Sequence, residues 1–380
     1  MICEHMKKIL FVVNDDWFFI SHRLPIAIKA EELGYDVHIA TGSYEGESKF
    51  KEYGFEHHVF SIARAKVNPF SDLNTVYSLY SLYKKLSPDL IHHITIKPVL
   101  YGGIAARLAR VPAVVSAISG LGVIFIQQGF KAKLKRFIVG NLYRLALGAK
   151  NSITITQNVD DKKIIQALAK LSNKKMRLIK GSGVDLTKFE FSDIPNQPQC
   201  KVTLLARMLK DKGVIEFYEA AKILKKDYSH VEFILAGDTH DNPASLTKVE
   251  LNKWNAEGVV KWNGHQDNPS DTIKSADIIV LPSYREGLPK VLLEAASIGR
   301  PIVTTDVPGC RDAVVVNETA LIVPVKEIES LAFAIKQLLD NREQRVSFGK
   351  KGRKFMEKEF SIGSVVDKHI AIYDSLIKYN

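Results

Sequence analysis

Short apolar runs alternate with helix-spaced patterns along the whole chain, and the alternation stops and restarts once. Lys8-Ile9-Leu10-Phe11-Val12-Val13 is a strand-length run, followed by a polar turn and by Leu24–Ala30 at helical spacing. Gly34 ends that helix and Tyr35–Ala40 reads as the next strand, a βαβ unit in length. Further strands are expected at Glu56–Ile62, Leu90–Ile94, Ala113–Ala117 and Ser152–Thr156. Asp193-Ile194-Pro195-Asn196-Gln197-Pro198-Gln199 then carries two prolines and no apolar period, which marks a linker. The pattern resumes at Lys201–Ala206, Glu232–Ala236, Val259–Trp262, Ile278–Leu281 and Pro301–Thr304, with helices such as Val214–Leu224 and Val291–Ser297 between them. This predicts an α/β fold of two Rossmann-like domains, each a parallel sheet covered on both faces. The expected division is 1–192, a linker at 193–200, 201–362, and a final helix in 363–380 that packs back toward the first domain. Two such sheets are expected to face each other across a cleft, at the strand ends where open α/β sheets take ligands.

Composition excludes several classes. At 380 residues the chain exceeds what one core usually serves. Cys3, Cys200 and Cys310 lack metal-ligand spacing, so neither a disulfide scaffold nor a zinc site is expected, and a reducing compartment is. No run approaches the roughly 18–20 apolar residues of a membrane span, which points to the cytoplasm. The net charge of +11 suits anionic lipid, nucleic acid or phosphorylated substrates. A nucleic-acid binder should interleave aromatics with Lys and Arg on a sheet, which this chain does not do, so no nucleic acid is expected. A dinucleotide enzyme needs G-x-G-x-x-G after its first strand, and here that strand runs into Asn14-Asp15-Asp16-Trp17-Phe18-Phe19.

The sharpest local pattern is Tyr284-Arg285-Glu286-Gly287-Leu288-Pro289-Lys290-Val291-Leu292-Leu293-Glu294. A strand enters a turn and then a helix whose first amides lack internal partners, which cradles phosphate oxygens. Gly287 lets the backbone approach a ligand, and Leu288, Pro289, Lys290 and Val291 complete that donor-side turn. Glu286 sits on the turn, while Glu294 lies about two helical turns away, where a carboxylate can accept both hydroxyls of a ribose. Arg207 and Lys212 flank the turn after the first strand of the second half. A guanidinium grips two oxygens at once and an ammonium acts as a point charge, so the two together suit one diphosphate. With cations already neutralising that leaving group, no metal is required, and no D-x-D carboxylate pair suits one.

Glu286 with Glu294, Arg207 with Lys212-Gly213, and the stretch Lys180-Gly181-Ser182-Gly183-Val184-Asp185-Leu186-Thr187-Lys188-Phe189 make the whole chain resemble the GT-B glycosyltransferases of family 4. The resemblance implies retaining, metal-independent transfer from a nucleotide sugar that is substrate rather than cofactor. It implies Glu286, Arg207 and Lys212 as catalytic groups, Glu294 on the ribose, and base contacts near Gly264-His265. The first half is similar to a narrower branch through Phe18–Pro25, Arg64–Phe70 and Ser119–Gly122. Enzymes of that branch build lipid-linked oligosaccharides for O-antigen, capsule and related glycans. The similarity implies a UDP-linked N-acetylhexosamine donor, with UDP-hexose next, and a polyprenyl-diphosphate-linked sugar acceptor. It also implies work at the inner face of the cytoplasmic membrane. Two positions depart from the pattern: the usual glycine pair after the first strand is absent, and Ser119 stands where many members have histidine. Ser119 and Gly120 are expected to line the donor sugar through their backbone. A UDP-sugar 2-epimerase of the same fold is the alternative enzyme.

Four residues of the first half are candidates for the acceptor. His22 and Arg23 follow the first strand, and His93 and Lys97 lie at the end of another, where His93 could meet a sugar and Lys97 a phosphate. The plain alternative for His92-His93, a satisfied pair at a strand end, stays open. In Phe125–Leu147 the residues Phe130, Leu134, Phe137, Ile138, Leu142 and Leu145 recur at helical spacing among Lys131, Lys133, Lys135, Arg136 and Arg144. That stripe suits either the core of the first domain or an anionic membrane surface.

Overall fold

The computed structural model describes residues 6–42, 47–62, 69–121, 130–197 and 199–377. Thirteen strands are described: β1 Lys8–Val12, β2 Asp36–Thr41, β3 Glu56–Val59, β4 Leu90–Ile94, β5 Ala113–Ile118, β6 Ser152–Thr156, β7 Met176–Leu178, β8 Lys201–Leu205, β9 Glu232–Ala236, β10 Lys261–Trp262, β11 Ile278–Leu281, β12 Ile302–Thr305 and β13 Ala320–Val323. They form a seven-stranded sheet in the order β3-β2-β1-β4-β5-β6-β7 and a six-stranded sheet in the order β10-β9-β8-β11-β12-β13. Every described pairing is parallel. The central strands are buried because helices cover both faces, as in Ile278–Leu281, where all four residues are apolar and buried. The α/β class and the two parallel sheets are as the sequence pattern predicts. Two short edge strands, β7 and β13, are not among those the pattern predicts.

Each unit closes on its own core. In the second, Leu204, Phe217, Phe233, Val280 and Ile335 pack on one side of the sheet, and Ile279, Leu292, Leu293, Met356 and Phe360 on the other. In the first, Leu10, Tyr83 and Ile91 belong to one cluster, and Val99, Tyr143 and Met176 to another. The polar turn expected after β1 is instead a short helix, Asp16–His22. Asp15 caps it by accepting the Phe18 N–H, and Phe19 drives into the core against Phe11 and Phe50.

The units divide at 182/183 and 362/363, so residues 183–362 form the second and the rest the first. The proline-bearing stretch expected as a linker therefore lies inside the second unit. Its backbone is held there by buried Arg300, which donates to Ser192 O at 2.7 Å and Asp193 O at 3.3 Å, and by Arg342, which donates to Ile194 O and Pro195 O. Extended carbonyls without sheet partners need donors, and two arginines supply them. At the edge of this unit the two chain crossings are paired: Val184 donates to Phe360 O and Ile362 donates to Val184 O. Gly183, at φ +75°, comes so close to Ile362 that a Cβ there would meet its Cα at 2.8 Å.

The final helix, Ile362–Ile377, joins the first unit from Gly363 onward. The Tyr373 hydroxyl lies 2.6 Å from His92 Nδ1 in the core, Tyr35 donates to Asp374, and Asn151 donates to Leu376 O. Burial, with His369 and Arg23 nearby, pushes His92 well below its ordinary range, so its imidazole is neutral and depends on that hydroxyl. Tyr373→Phe strands a buried ring nitrogen, a loss of about 1–3 kcal/mol. Urea unfolding followed by circular dichroism should show an earlier transition in this variant, and a wild-type midpoint would mean the bond contributes nothing.

Candidate active site

The second sheet winds outward in both directions from one pair of neighbours. β9 and β10 lie beyond β8, and β12 and β13 lie beyond β11, so β8 and β11 flank the point where the winding reverses. Loops leaving adjacent strands at such a point diverge to opposite faces and leave room for a ligand between them. The loop after β8 carries Arg207 and Lys212, and the loop after β11 carries Glu286 and Gly287.

Backbone contacts hold these loops together. Tyr284 N–H donates to Asp211 O at 2.9 Å, and Gly213, at φ +74°, sits so close beneath Pro282 that a Cβ would meet its carbonyl oxygen at 2.2 Å. Lys212 Nζ lies 2.5 Å from Glu286 Oε1, which also accepts the Ser283 hydroxyl at 2.8 Å. The Tyr284 hydroxyl donates to Glu216 on the helix Val214–Leu224. A third loop supports the second, since Gly309 at φ +84° abuts the carbonyl oxygens of Glu286 and Gly287. Cys310 behind it is buried, and burial together with the Glu286 carboxylate pushes its thiol up to about 12.

The helix Lys290–Ile298 starts at Pro289, and no side chain caps its N-terminus. Leu288 and Pro289 are buried, while Lys290 and Val291 are half-buried at its first turn. Glu294 is only 7% exposed, and Lys290 Nζ is 3.6 Å from its Oε1. Burial, opposed by Lys290 and Lys188, raises this carboxyl above 4.5. On the other side of β8, Arg207 is exposed. Its neighbours pair with the loop after β9, Ala206 N–H with Ala236 O and Met208 N–H with Asp238 O. Gly237 N–H then donates to Gly264 O, and His265 beside it is exposed, 3.6 Å from Asp267. Arg207, Lys212, Gly264, His265, Glu286 and Gly287 thus all follow the carboxyl ends of strands in one sheet.

The candidates of the first unit are placed differently from one another. His22 is half-buried, stacked on Phe18 with ring centroids 4.1 Å apart, and its Nδ1 is 2.6 Å from the Ser21 hydroxyl. Arg23, expected at the acceptor, is instead 1% exposed and spends its guanidinium on His22 O and the Ser182 hydroxyl. Burial lowers it to about 10. His93 is likewise a core residue: Nε2 is 2.9 Å from the Tyr83 hydroxyl, the ring abuts Gly102, and burial lowers it to about 3. Both corrections have one cause, which is that sequence position at a strand end does not say which way a side chain turns. Lys97 is half-buried just before the π-helical turn Pro98–Gly102.

Beside Ser119, which the sequence singled out, the carboxyl end of the first sheet carries Asn14, Asp16, Thr95 and Thr156, which it did not. The buried oxygens Asn14 Oδ1, Asp16 Oδ2, Thr95 Oγ1, Ser119 Oγ and Thr156 Oγ1 find no hydrogen-bond partner among the described residues. Thr95 also holds φ +72°, a costly conformation for a β-branched residue, and Gly120 holds φ +134°. Unpaired buried oxygens are rare enough that a cluster at one sheet end marks a place where a ligand supplies the donors.

Two family models cover most of the chain: "Glycosyl transferase 4-like" matches residues 8–158 and "Glycosyl transferases group 1" matches 187–355. The chain is a GT-B glycosyltransferase of family 4. The N,N'-diacetylbacillosaminyl-diphospho-undecaprenol alpha-1,3-N-acetylgalactosaminyltransferase of Campylobacter jejuni is 29% identical to this glycosyltransferase, over 95% of this chain and 98% of its own. The UDP-Gal:alpha-D-GlcNAc-diphosphoundecaprenol alpha-1,3-galactosyltransferase of Escherichia coli is 26% identical over 80% of each. Among solved structures, Anabaena Alr3699/HepE in complex with UDP and glucose has the same fold, with a TM-score of 0.76 at 18% identity over 98% of this chain and 100% of that one.

The buried Glu294 of this glycosyltransferase has a consequence for stability. Its folded-state carboxyl binds a proton at higher pH than the unfolded carboxyl near 4.5, so stability falls as pH rises through that window. Glu294→Gln should therefore stabilise the ligand-free protein at neutral pH by about 1 kcal/mol, the scale of gains at sites kept for function. The gain should vanish in acid, where wild-type Glu294 is itself protonated. Melting curves at pH 7.5 and pH 4.5 check the sign, and a destabilised variant at pH 7.5 would contradict it.

Proposed function

We propose that this enzyme transfers an N-acetylhexosamine, or failing that a hexose, from its UDP-linked donor to a sugar carried on polyprenyl diphosphate, with retention and without a metal in the chemistry. The observation that carries the donor side is the Lys212–Glu286 pair fixed between the loops after β8 and β11, with Glu294 buried on the helix that follows. When the anomeric C–O bond breaks, the UDP diphosphate gains negative charge. Lys212 and Arg207 stabilise that charge, Glu294 accepts the ribose hydroxyls, and Glu286 stands beside both the ammonium and the sugar. A charge-assisted hydrogen bond is worth roughly 1.5–3 kcal/mol and an enzyme must lower its barrier by about 8 kcal/mol or more. Binding of the acceptor hydroxyl in the correct orientation has to supply the remainder. Relatives named for undecaprenyl-diphosphate-linked sugars support the acceptor, and the unpaired oxygens around Ser119 and Thr95, with His22 and Lys97, are the first unit's contribution to holding sugars.

A lipid-linked acceptor requires access to a bilayer, and no described helix is long and apolar enough to cross one. The helix Phe130–Leu147 supplies an alternative. Its core face is made by Tyr143, Ala146 and Leu147, whereas Phe137, Ile138 and Leu145 are 69%, 52% and 47% exposed, with Arg144 exposed beside them. The side chains of residues 130–136, which include four of the expected cations, lie outside the described residues. Apolar side chains flanked by cations on a positively charged protein suit the inner, anionic face of the cytoplasmic membrane, at about 1 kcal/mol for each Lys or Arg near the surface.

UDP should raise the melting temperature and GDP should not, since a ligand at 100 times its dissociation constant adds about 2.7 kcal/mol. Equal shifts from both nucleotides would refute the uridine assignment. Lys212→Ala and Glu294→Ala should each lower turnover about 100-fold or more at saturating acceptor, with chelator making no difference to the wild type. Full activity in either variant would remove that residue from the site. Sedimentation with anionic vesicles should exceed that with neutral ones and fall in Phe137→Ser/Ile138→Ser; binding that ignores both changes would leave the helix a purely internal element.

A further inference from the structure

The first sheet carries a second constellation, remote in sequence from any donor residue. β2 and β3 pair in register, His38 opposite Glu56 and Ala40 opposite His58. Residues two apart on a strand share a face, so Asp36, His38, Glu56 and His58 all stand on one side of this edge. His38 Nδ1 is 2.9 Å from His58 Nε2 and 3.3 Å from Glu56 Oε2, and the last two are 3.9 Å apart. A triangle with those sides has a circumradius of about 2.0 Å, which is the length of a zinc–imidazole or zinc–carboxylate bond.

The protons do not satisfy this arrangement by themselves. His38 Nε2 is 3.2 Å from Asp36 Oδ2, and that carboxylate fixes the tautomer in which Nε2 bears the hydrogen and Nδ1 presents a lone pair. Lys8 Nζ lies 3.6 Å from the same Asp36 oxygen. Nδ1 of His38 faces both the Glu56 oxygen, 3.3 Å away, and Nε2 of His58, 2.9 Å away, and a single ring hydrogen can serve only one of them. A cation among the three atoms removes the conflict.

We propose that His38 Nδ1, His58 Nε2 and Glu56 Oε2 bind one divalent transition-metal ion, zinc or a close equivalent, with water in the fourth position. Asp36 is the outer carboxylate that orients His38, the arrangement in which metal-bound histidines are commonly held. Two imidazoles and a carboxylate at these separations suit zinc, nickel or copper and exclude calcium and magnesium, which want more oxygens. The ion clips the four-residue edge strand β3 to β2 and belongs to the stability of the first unit, apart from the chemistry assigned to the second.

Tag-free, full-length protein, freed of metal by chelator and dialysed, is titrated with Co2+ while its visible absorption is recorded, and Zn2+ is then used to displace it. The expected result is one equivalent bound with tetrahedral d–d bands. Glu56→Gln and His58→Gln should weaken binding at least about tenfold, Asp36→Asn by about 10–100-fold, and His57→Gln, on the opposite face, not at all. Glu56 is an exposed side chain, so Glu56→Gln keeps its fold and decides the matter if His58→Gln does not. Zinc should also raise the melting temperature of the wild type but not of Glu56→Gln, and sugar transfer should be equal in the two. Absence of the bands in the wild type, or wild-type affinity in Glu56→Gln, overturns the proposal.

Discussion

The second unit is organised around the adjacency of β8 and β11. Because these strands are neighbours in space and distant in sequence, their loops bring Lys212 within bonding distance of Glu286 across 74 residues of chain. The approach is possible only because the backbone closes up beneath it. Gly213 under Pro282 and Gly309 against Gly287 leave no room for a Cβ, and both hold a positive φ that other residues adopt at a cost. Backbone packing beneath the loops therefore fixes the distance between the charged groups above it.

Each unit, taken by itself, stores unfavourable burial. Glu294 sits among apolar neighbours with only Lys290 and Lys188 to offset its charge, and in the first unit a set of oxygens lies unpaired at the carboxyl ends of β1, β4, β5 and β6. Burying such groups is costly unless a partner is supplied to them. The first unit also contains buried polar groups with a different role. His92 pairs with Tyr373 and so ties the C-terminal helix to the sheet, while Arg23 bonds Ser182 and His93 bonds Tyr83 within the same unit.

Much of this was legible in the sequence. Short runs rich in β-branched and apolar residues mark the buried parallel strands, so β4, β6, β9 and β11 were found with their bounds, and the Glu286–Glu294 spacing was visible beside its strand, glycine and proline. The losses have physical causes. β7 is only three residues with a central Arg, and the helix Asp16–His22 hides because its cap and aromatic residues mimic a turn. The proline-rich stretch at 193–200 imitates a linker, and only the tertiary structure shows Arg300 and Arg342 fastening it. Arg23 and His93 had the chemistry of a binding site and the geometry of a core. The histidine pair at the sheet edge escaped notice because its members lie 20 residues apart and meet only through strand register.

The central claim is that Lys212, set between the two loops, grips the donor's diphosphate. Calorimetric titration of uridine, UMP and UDP into the wild type and into Lys212→Met isolates that contact from the ribose and the base. The account predicts that the wild type gains affinity at each added phosphate, that Lys212→Met loses most of the gain from UMP to UDP, and that uridine binds both proteins alike. An undiminished preference for UDP over UMP in Lys212→Met would contradict it.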